Sequence, residues 1–395
     1  MSRFKKQKQS KNIPENIFIY ESSSKGGCYE YALYLFRALK RYFNNVTIIL
    51  PIIAISEMPF VSPENRIHIL KRDQGTWQSK IYSRINFLYR QFVNPIRFIF
   101  FIRNKPASVI IWNDFEQLTA PVWIPLLKIL AKQHVHTIVL HDPDRDNYPP
   151  FKWYSEYCMG ILMRVMDIAY YHDYLPDKKY YKREKTRYLS IVHGVYDTYK
   201  PDDSLFRTIQ KQKGEDLLIT VLGNIREEKN YRLIIEALVH IPNVKLLIAG
   251  APANSKIDID GLKTLARKYE VSEKIIWEIK FLSDEELASC IEASDILLLY
   301  YQKQFTSQSG ILNLIAPYQK KFVYSDTDSG LGLVCKKYNI GIPCKPDSID
   351  EFVKVLNQTI QTKDLNSYTE QWKKYLKDAD WSSLPLTLTG KITNE

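Results

Sequence analysis

Short apolar runs alternate with amphipathic helical patterns along almost all of the chain, and this alternation constrains the fold more than any other feature. Residues 217–238 show one such unit: LLITVLG reads as a buried strand, NIREEK as a polar loop and NYRLIIEAL as a helix. In that helix Leu233, Ile234 and Leu238 lie on one face. Strands that alternate with helices predict parallel sheets with helices on both faces. The predicted fold class is therefore α/β.

A polar segment at 200–216 interrupts the alternation and divides it into two halves. At 395 residues the chain is too long for one compact core, and its length suits two domains. We therefore predict a first domain over 1–200 and a second domain from 201, each built on a doubly wound sheet. Residues 51–80 give no clear pattern. The predicted strands are 16–20, 45–52, 108–112, 136–140, 167–171 and 188–193 in the first half, and 217–223, 244–250, 274–281, 295–300 and 320–326 in the second.

The formal net charge of +11 favours an anionic partner, which could be nucleic acid, an anionic membrane or a phosphorylated substrate. We do not expect nucleic acid, because the chain has no recognisable nucleic-acid-binding motif. The five cysteines are scattered, without the spacing of a zinc site or a disulfide framework, so a reducing, cytoplasmic location is expected. No apolar run reaches the roughly 18 residues of a membrane helix, and no secretory signal follows the basic N-terminus.

Residues 81–103 combine arginine with aromatic and aliphatic side chains. Arg84, Arg90, Arg97 and Arg103 are interleaved with six phenylalanine and tyrosine residues. One interpretation is a core helix with solvated arginines. The other is a surface helix whose aromatic side chains enter a lipid interface while the arginines pair with anionic headgroups. The second interpretation predicts peripheral contact with an anionic membrane through 81–103.

The polar loop after the strand at 217–223 could bind an anion. Backbone N–H groups at the start of a helix are unpaired and carry partial positive charge. Arg226 and Lys229 add two full charges beside that helix start, which suits a diphosphate. The alternative is an ordinary strand–helix connection with solvated charges.

Other candidate residues follow strands in the first half. In open parallel sheets ligands bind at the carboxyl ends of the strands. Asn113, His141, Asp142 and Gly194 lie at such ends. Gly26 and Gly27 form the turn between the first strand and the first helix, where the backbone can approach a ligand closely, although turns use glycine for other reasons too.

Several motifs resemble the glycosyl transferases group 1 family (GT4) of GT-B fold glycosyltransferases. They are GNIREEKN…LIIEAL, LLIAG, FLSDEELASCIEASDILLLY, SQSGILNLIAPYQKKFVYSD and IVHGVYDTYKP, and the resemblance covers residues 188–362. In the first half mainly the Gly–Gly turn and HTIVLHDPD match the family. The resemblance implies two Rossmann-like domains facing across a cleft, with the nucleotide-sugar donor on the second (201–375) and the acceptor on the first (1–200). It also implies that 376–395 crosses back to the first domain with Trp381 packed at the junction; a loose tail is the alternative.

The resemblance implies roles for individual residues. Those expected to hold the donor diphosphate are Gly26, Gly27, Arg226, Lys229, Ser309 and Gly310. His141 would lie near the transferred sugar and act in catalysis together with Asp142, although a structural strand-end histidine is the alternative. Residues expected near the donor sugar or nucleobase are Asn224, Lys280, Phe281 and Ser307.

One departure from the family concerns its Glu–x7–Glu pair, which contacts the donor sugar and the ribose. Aligned on Gly310, the two glutamate positions are Ser307 and Ile315, so both carboxylates are absent. Asp284, Glu285 or a backbone group could then bind the ribose hydroxyls.

The expected function is transfer of a sugar from a nucleoside-diphosphate-sugar donor to an acceptor hydroxyl, in bacterial surface polysaccharide or glycolipid assembly. The resemblance implies a retaining, metal-independent hexosyltransferase without a cofactor, in which the leaving phosphate assists a front-face substitution. The acceptor would be a lipid-linked sugar at the inner face of the cell membrane. The alternatives are a GT-B protein that binds a sugar nucleotide or partner without transfer and, less favoured, a phosphorylase or epimerase.

Overall fold

A computed structural model describes residues 15–52, 61–73, 80–144, 151–254, 256–361 and 369–389. The chain divides into two compact units. The first unit consists of two segments, the residues up to Ile191 and the residues from Trp381 onwards. The second unit is Val192–Asp380. Each unit is organised around one parallel sheet.

The first unit has a seven-stranded sheet. Its strands are β1 (Asn16–Tyr20), β2 (Asn45–Pro51), β3 (Arg66–Leu70), β4 (Val109–Trp112), β5 (Val135–Leu140), β6 (Ile168–Tyr171) and β7 (Arg187–Ser190). The strand order is β3-β2-β1-β4-β5-β6-β7, and every pair is parallel. The helices between them are α1 (Gly27–Leu39), α2 (Lys80–Ile102), α3 (Ala120–Leu130) and α4 (Lys152–Leu162).

The second unit repeats this arrangement with six strands in the order β10-β9-β8-β11-β12-β13. The strands are β8 (Leu217–Leu222), β9 (Val244–Ala249), β10 (Ile275–Glu278), β11 (Ile296–Leu299), β12 (Phe322–Ser325) and β13 (Ile342–Cys344). The helices are α5 (Asp203–Lys213), α6 (Tyr231–Ala237), α7 (Ile259–Lys268), α8 (Asp284–Ala293), α9 (Gly310–Ile315), α10 (Gly330–Tyr338), α11 (Ile349–Gln361) and α12 (Thr369–Asp378).

A last helix, α13 (Ser383–Leu388), belongs to the first unit. Leu384 and Leu388 are buried in the same apolar cluster as the inward side chains of α1 and β1. Just before this helix, the Trp381 ring stacks on Tyr34, with centroids 5.2 Å apart, and meets Tyr31 edge-on at 4.9 Å.

Both sheets are covered on both faces, which explains their nearly continuous apolar strands. In β1, for example, Ile17 and Ile19 belong to one buried cluster and Phe18 and Tyr20 to another. The prediction of an α/β fold with two doubly wound sheets is confirmed. In each sheet the strand order reverses beside the unit's first strand, between β1 and β4 and between β8 and β11. Such switch points are where ligands bind in open α/β sheets.

Three elements differ from the sequence-based expectation. The edge strand β3 lies within 51–80, where no pattern was visible, and the edge strand β13 has only three residues. The polar segment 200–216 contains α5. This helix forms because the Asp202 carboxylate accepts a hydrogen bond from the Leu205 N–H and because Leu205 and Ile209, four residues apart, bury one face.

Candidate functional site

Two loops meet at the switch point of the second unit. One loop, 223–230, leaves β8, and the other, 300–309, leaves the neighbouring strand β11. The Gln302 N–H donates to the Glu228 carbonyl at 2.7 Å and joins them. The structure therefore brings Arg226 and Lys229 of the first loop to the same edge of the sheet as Ser309, which ends the second loop, and Gly310, which begins α9.

Glycine is required where the first of these loops begins. Gly223 has φ +83°, and a Cβ there would lie 2.6 Å from Ile311 Cδ1 at the start of α9. Gly250 has φ +145°, and its Cβ would lie 2.3 Å from the Gly223 carbonyl oxygen. Neither position tolerates a side chain without displacing its neighbour, so the backbone at 223 is held tightly between β9 and α9.

Lys229 is the buried cation of the site. Lys229 is only 6% exposed, and its Nζ donates to the Leu222 carbonyl at 2.5 Å. Burial, assisted by the Arg226 guanidinium, lowers the pKa of the Lys229 ammonium to about 7. Arg226 and Asn224 are both exposed on the same loop. A bound anion would restore the Lys229 charge that burial disfavours.

The second loop is fixed from two sides. Ser309 does not cap α9 with its side chain; its Oγ pairs with the Tyr301 hydroxyl at 2.8 Å instead. The Tyr301 ring stacks on Phe305 with centroids 4.0 Å apart. The N–H groups of Gly330 and Leu331, at the start of α10, donate to the carbonyls of Thr306 and Ser307 at 2.9 and 3.2 Å. Ser307 is therefore held through its backbone.

Ile315, the second position of the family's glutamate pair, is part of the core in this chain. Ile315 is fully buried in an apolar cluster, so its side chain serves packing. Of the two acidic alternatives, Glu285 accepts a hydrogen bond from the Ser283 hydroxyl at 2.8 Å, and burial raises the pKa of Asp284. Ser283 also forms the predicted capping box with Glu286 at the start of α8.

Lys280 and Phe281 lie after β10, the edge strand two places from β8. Lys280 Nζ pairs with Glu286 at 2.6 Å, and this bond raises the pKa of Lys280. Phe281 is 61% exposed. An exposed aromatic ring beside a cation is chemically suited to a planar base, and both residues follow β10, whereas the Arg226–Lys229 loop follows β8.

Sequence reasoning missed three buried polar atoms, two of them in these loops and one on the first residue of α6. Asn230 Nδ2, the Tyr231 hydroxyl and Gln308 Oε1 have no hydrogen-bond partner among the described residues. Buried polar atoms without partners are uncommon and mark places where a ligand or water binds. Asn230 is also in the left-handed conformation, with φ 54°. In the sequence, its position directly after Lys229 was the signal that could have marked Asn230 as a candidate site residue.

In the first unit the predicted residues surround the switch point between β1 and β4. Gly26 has φ +89° and precedes α1, and a Cβ at Gly26 or Gly27 would meet nothing within 4 Å. The space beside this turn is therefore open. His141 and Asp142 follow β5 and are half-buried. The His141 ring packs against the edge of Tyr31 with centroids 4.5 Å apart.

Buried carboxylates at this switch point were not predicted. Burial, followed by the negative charge of Asp114, raises the pKa of both Glu21 and Glu116 to about 8. Glu116 Oε1 accepts from the Tyr20 hydroxyl at 2.7 Å, and Asp114 Oδ2 accepts from the Ser22 hydroxyl at 2.7 Å. Their positions within four residues of the ends of β1 and β4 were the signal that could have identified them. Among the described residues, no three or more His, Cys, Asp or Glu side chains are grouped to hold a metal.

Comparisons with known proteins agree with this architecture. Residues 202–378 match the model of the family described as "Glycosyl transferases group 1". A search of curated proteins found no match. The chain is similar in structure to Anabaena HepE in complex with UDP, with a TM-score of 0.70 and 13% identity over 95% of this chain and 99% of that one.

Two further solved structures are similar at the same level. Sucrose-phosphate synthase from Thermosynechococcus elongatus has a TM-score of 0.67 and 12% identity, covering 95% of this chain and 98% of its own. The α,α-trehalose 6-phosphate synthase from Burkholderia multivorans has a TM-score of 0.66 and 12% identity, covering 96% of each chain. Structural similarity at identities this low is evidence for the fold alone, which is the GT-B fold. Residues 202–378 of this chain form a domain that matches the glycosyl transferases group 1 family.

Proposed function

We propose that this protein transfers a sugar from a nucleoside-diphosphate sugar to an acceptor hydroxyl, with the donor diphosphate bound by Arg226 and Lys229. The observation that carries the proposal is the buried Lys229 ammonium, whose pKa is lowered to about 7 at the switch point of a group 1 domain. A buried cation is costly without a counter-ion, and a diphosphate supplies one. HepE was crystallised with UDP and with UDP-glucose, so uridine nucleotides are the first to test.

The proposed reaction breaks the bond between the sugar C1 and the donor phosphate oxygen and forms a bond from C1 to the acceptor oxygen. The acceptor proton passes to the leaving diphosphate on the same face, so the anomeric configuration is retained. Arg226 and Lys229 stabilise the charge that develops on the leaving group, as preorganised cations do. We propose that these cations act without a metal ion and that the transferred sugar is a hexose. His141 and Asp142 act on the sugar side.

The main test compares nucleotide binding and donor hydrolysis in the wild type and in Arg226→Ala and Lys229→Ala variants. Removing either cation should weaken UDP binding roughly 10- to 100-fold, the scale of losing one charge-assisted contact of 1.5–3 kcal/mol. Arg232→Ala is the matched control, because Arg232 is exposed on α6. A wild-type protein that neither binds nor turns over any nucleotide sugar would refute the proposal.

The second candidate function is binding of a sugar nucleotide without transfer. It is favoured by the absence of carboxylates at Ser307 and Ile315, the second of which lies in the core. The two candidates differ in one measurement. A protein that is stabilised by UDP but releases no sugar from any donor, with or without acceptors, fits this alternative.

We further propose that the acceptor is lipid-linked and that the first unit docks on an anionic membrane, in surface polysaccharide or glycolipid assembly at the inner face of the cell membrane. The neighbouring helices α2, α3 and α4 form what we call the aromatic surface. Its large exposed apolar side chains are Tyr82, Ile85, Phe87, Leu88, Tyr89, Phe92, Phe100, Val122, Ile129, Phe151, Trp153 and Tyr157. An exposed apolar area of this extent indicates an interaction surface.

The charges of the aromatic surface suit anionic headgroups. Neither α2 nor α3 contains an acidic residue, and α4 contains only Glu156. The second half of α2 is a core helix, with Phe98, Ile99 and Ile102 buried, while its first half is exposed. Among the described helices, none has the length and mean hydropathy needed to cross a bilayer. Contact by the exposed half of α2 is therefore peripheral in this proposal.

One arginine of α2 does not face outwards. Arg90 donates from Nη2 to the Ser22 carbonyl at 2.6 Å, in the loop between β1 and α1. Arg84, Arg97 and Arg103 are exposed. The test is therefore liposome flotation of a triple glutamine variant at these three positions. Binding to anionic vesicles should fall by roughly 150-fold, since each of the three basic residues near such a surface contributes about 1 kcal/mol.

The matched control for flotation removes the same charge from exposed residues of the second unit, namely Arg207, Lys211 and Arg232. This control should float like the wild type, and raised salt should release both. Equal loss of binding in the two triple variants would contradict a specific membrane surface.

A further inference from the structure

The chain enters the second unit at the beginning of 192–196 and leaves it at the end of 375–380. We call these two stretches the first and the second crossing segment. The Val195 N–H, in the first, donates to the Ala379 carbonyl, in the second, at 2.9 Å. The two crossing segments are therefore joined by a hydrogen bond within the second unit, although they lie at its opposite ends in the sequence.

One buried amide is bonded to both crossing segments. Asn313 of α9 is fully buried, and its Nδ2 donates to the carbonyls of His193 and Gly194 at 3.0 and 3.1 Å. Its Oδ1 accepts from the Tyr375 hydroxyl at 3.0 Å, and its backbone carbonyl accepts from the Tyr196 N–H at 3.2 Å. A single residue of α9 therefore binds both crossing segments.

The Asn313 amide is a specific link, because its partners determine its orientation. The two backbone carbonyl oxygens can only accept, so the amide nitrogen must face them and the amide oxygen must face Tyr375. Nδ2 also contacts His193 Nδ1. Burial lowers the pKa of the His193 imidazole to about 4, so this ring is neutral at physiological pH. A leucine of similar volume at 313 would make none of these side-chain hydrogen bonds.

The helix that contains Asn313 begins beside the candidate diphosphate site. α9 starts at Gly310. Its next residue, Ile311, closely approaches Gly223, at the beginning of the loop that carries Lys229. Asn313 is the fourth of the six residues of α9, so it lies less than one helical turn from the helix start. A helix this short moves as one piece, and a shift at its start therefore also shifts Asn313.

We propose that Asn313 is a positioning residue that couples the diphosphate site to both crossing segments, so that a bound nucleoside diphosphate slows the local opening of both. This inference rests on the proposed function for the place of the diphosphate. Coupling means that the crossing segments open only when α9 moves, and a ligand held beside the start of α9 opposes that movement. A purely structural network would stabilise the segments equally with and without nucleotide.

Amide hydrogen exchange of the full chain, with and without UDP, tests the proposal. The reporters are the N–H groups of Val195, Tyr196 and Ala379, which donate to carbonyls inside the network. With UDP at about 100 times its Kd, their exchange should slow by about 10- to 100-fold, the upper value being the limit set by mass action. The Tyr269 N–H, at the end of α7, donates to the Leu265 carbonyl outside the network. Its exchange should slow less than about threefold. Equal slowing at all four amides would report global stability and refute the coupling.

Two variants break the network at different points. Asn313→Leu removes the side-chain bonds, so UDP should still bind but should slow exchange at the three reporters by less than about threefold. Tyr375→Phe is the milder variant, because it removes only the bond from Asn313 to the second crossing segment. It should reduce the UDP effect at Ala379 and keep it at Tyr196. A full UDP effect at all three reporters in either variant would overturn the proposal, and so would no UDP effect in a wild type that binds UDP.

The matched control is Tyr338→Phe. The Tyr338 ring packs edge-on against Tyr375 with centroids 5.0 Å apart, and its hydroxyl donates to Asp378 Oδ2 at 3.1 Å. This variant therefore loses a bond to the second crossing segment without removing a bond of Asn313, and it should keep the full UDP effect. An equal loss of the UDP effect in Tyr338→Phe and Tyr375→Phe would refute the specific role of Asn313. A wild type that binds no nucleotide would instead refute the proposed function, and this inference with it.

Discussion

The affinity for UDP should fall steeply as the pH rises above 7, because Lys229 must be charged to bind a diphosphate. Burial and Arg226 lower the pKa of Lys229 to about 7 from its ordinary value of 10.5. Below pH 7 the free protein already carries the charge. Above pH 7 the ammonium loses its proton, and binding must restore it. A diphosphate beside Nζ raises the pKa again towards its ordinary value.

The size of the effect follows from proton linkage. With the free pKa near 7 and the bound pKa near its ordinary value, Kd rises roughly 50-fold between pH 7 and pH 9, because half of the free protein still carries the charge at pH 7. This is about 2.3 kcal/mol of binding free energy. The β-phosphate of UDP is already ionised in this range, since such groups have a second pKa of about 6, so it contributes little to the slope.

Isothermal titration calorimetry at pH 7, 8 and 9, at constant ionic strength, measures this slope directly. Repeating the pH 8 titration in buffers of different ionisation enthalpy should show uptake of about 0.9 proton per UDP bound. Lys229→Arg keeps its charge at all three pH values and should remove both the slope and the proton uptake. A wild-type Kd that stays constant within twofold from pH 7 to 9, with no proton uptake, would refute this reasoning about Lys229.

Three further predictions concern stability and the site. Gly223→Ala should lower the free energy of unfolding of the second unit by roughly 1–3 kcal/mol, because it combines positive φ with a clash against Ile311, and denaturant titration measures this loss. The same variant should bind UDP more weakly, which calorimetry measures. The pKa of Glu116 is about 8 in the folded state against an ordinary value of 4.5, so the folded state binds more protons and its stability should fall as the pH rises from about 5 to 8. In thermal melts Glu116→Gln should flatten this pH dependence. An unchanged pH dependence in that variant would contradict the prediction. Tyr301→Phe removes the hydrogen bond to Ser309 and should cost about 1 kcal/mol by the same denaturant measurement; no change would mean that the bond does not fix the loop.

The local structure around residues 217–238 could be predicted from sequence because it depends on local pattern. The strand, polar loop and helix are observed as β8, the loop and α6. The burial of Lys229 could not be predicted, since its loop packs beside the loop 300–309, about 75 residues further along the chain, with the Gln302 N–H donating to the Glu228 carbonyl. That packing follows from strand order, which places β11 beside β8 and which no periodicity encodes.

The same limit applies in the first unit. Asn113 and His141 could be placed at strand ends, because their strands are apolar and end in polar residues. The hydrogen bonds that join them to Glu21 require β1, β4 and β5 to be adjacent. Arg90 illustrates the reverse case: its spacing among other arginines suggested an outward side chain, but its contact with the Ser22 carbonyl depends on where α2 lies over the sheet.

The place of α13 has a consequence for how the protein is made. The first unit buries Leu384 and Leu388 beside its first strand and first helix, yet these residues are synthesised after the whole of Val192–Asp380. On the ribosome the second unit can therefore complete its core before the first unit does, although domains usually fold in N-terminal order. Until α13 emerges, the nascent first unit exposes the apolar side chains that Leu384 and Leu388 later cover, so this surface is open to other contacts during translation.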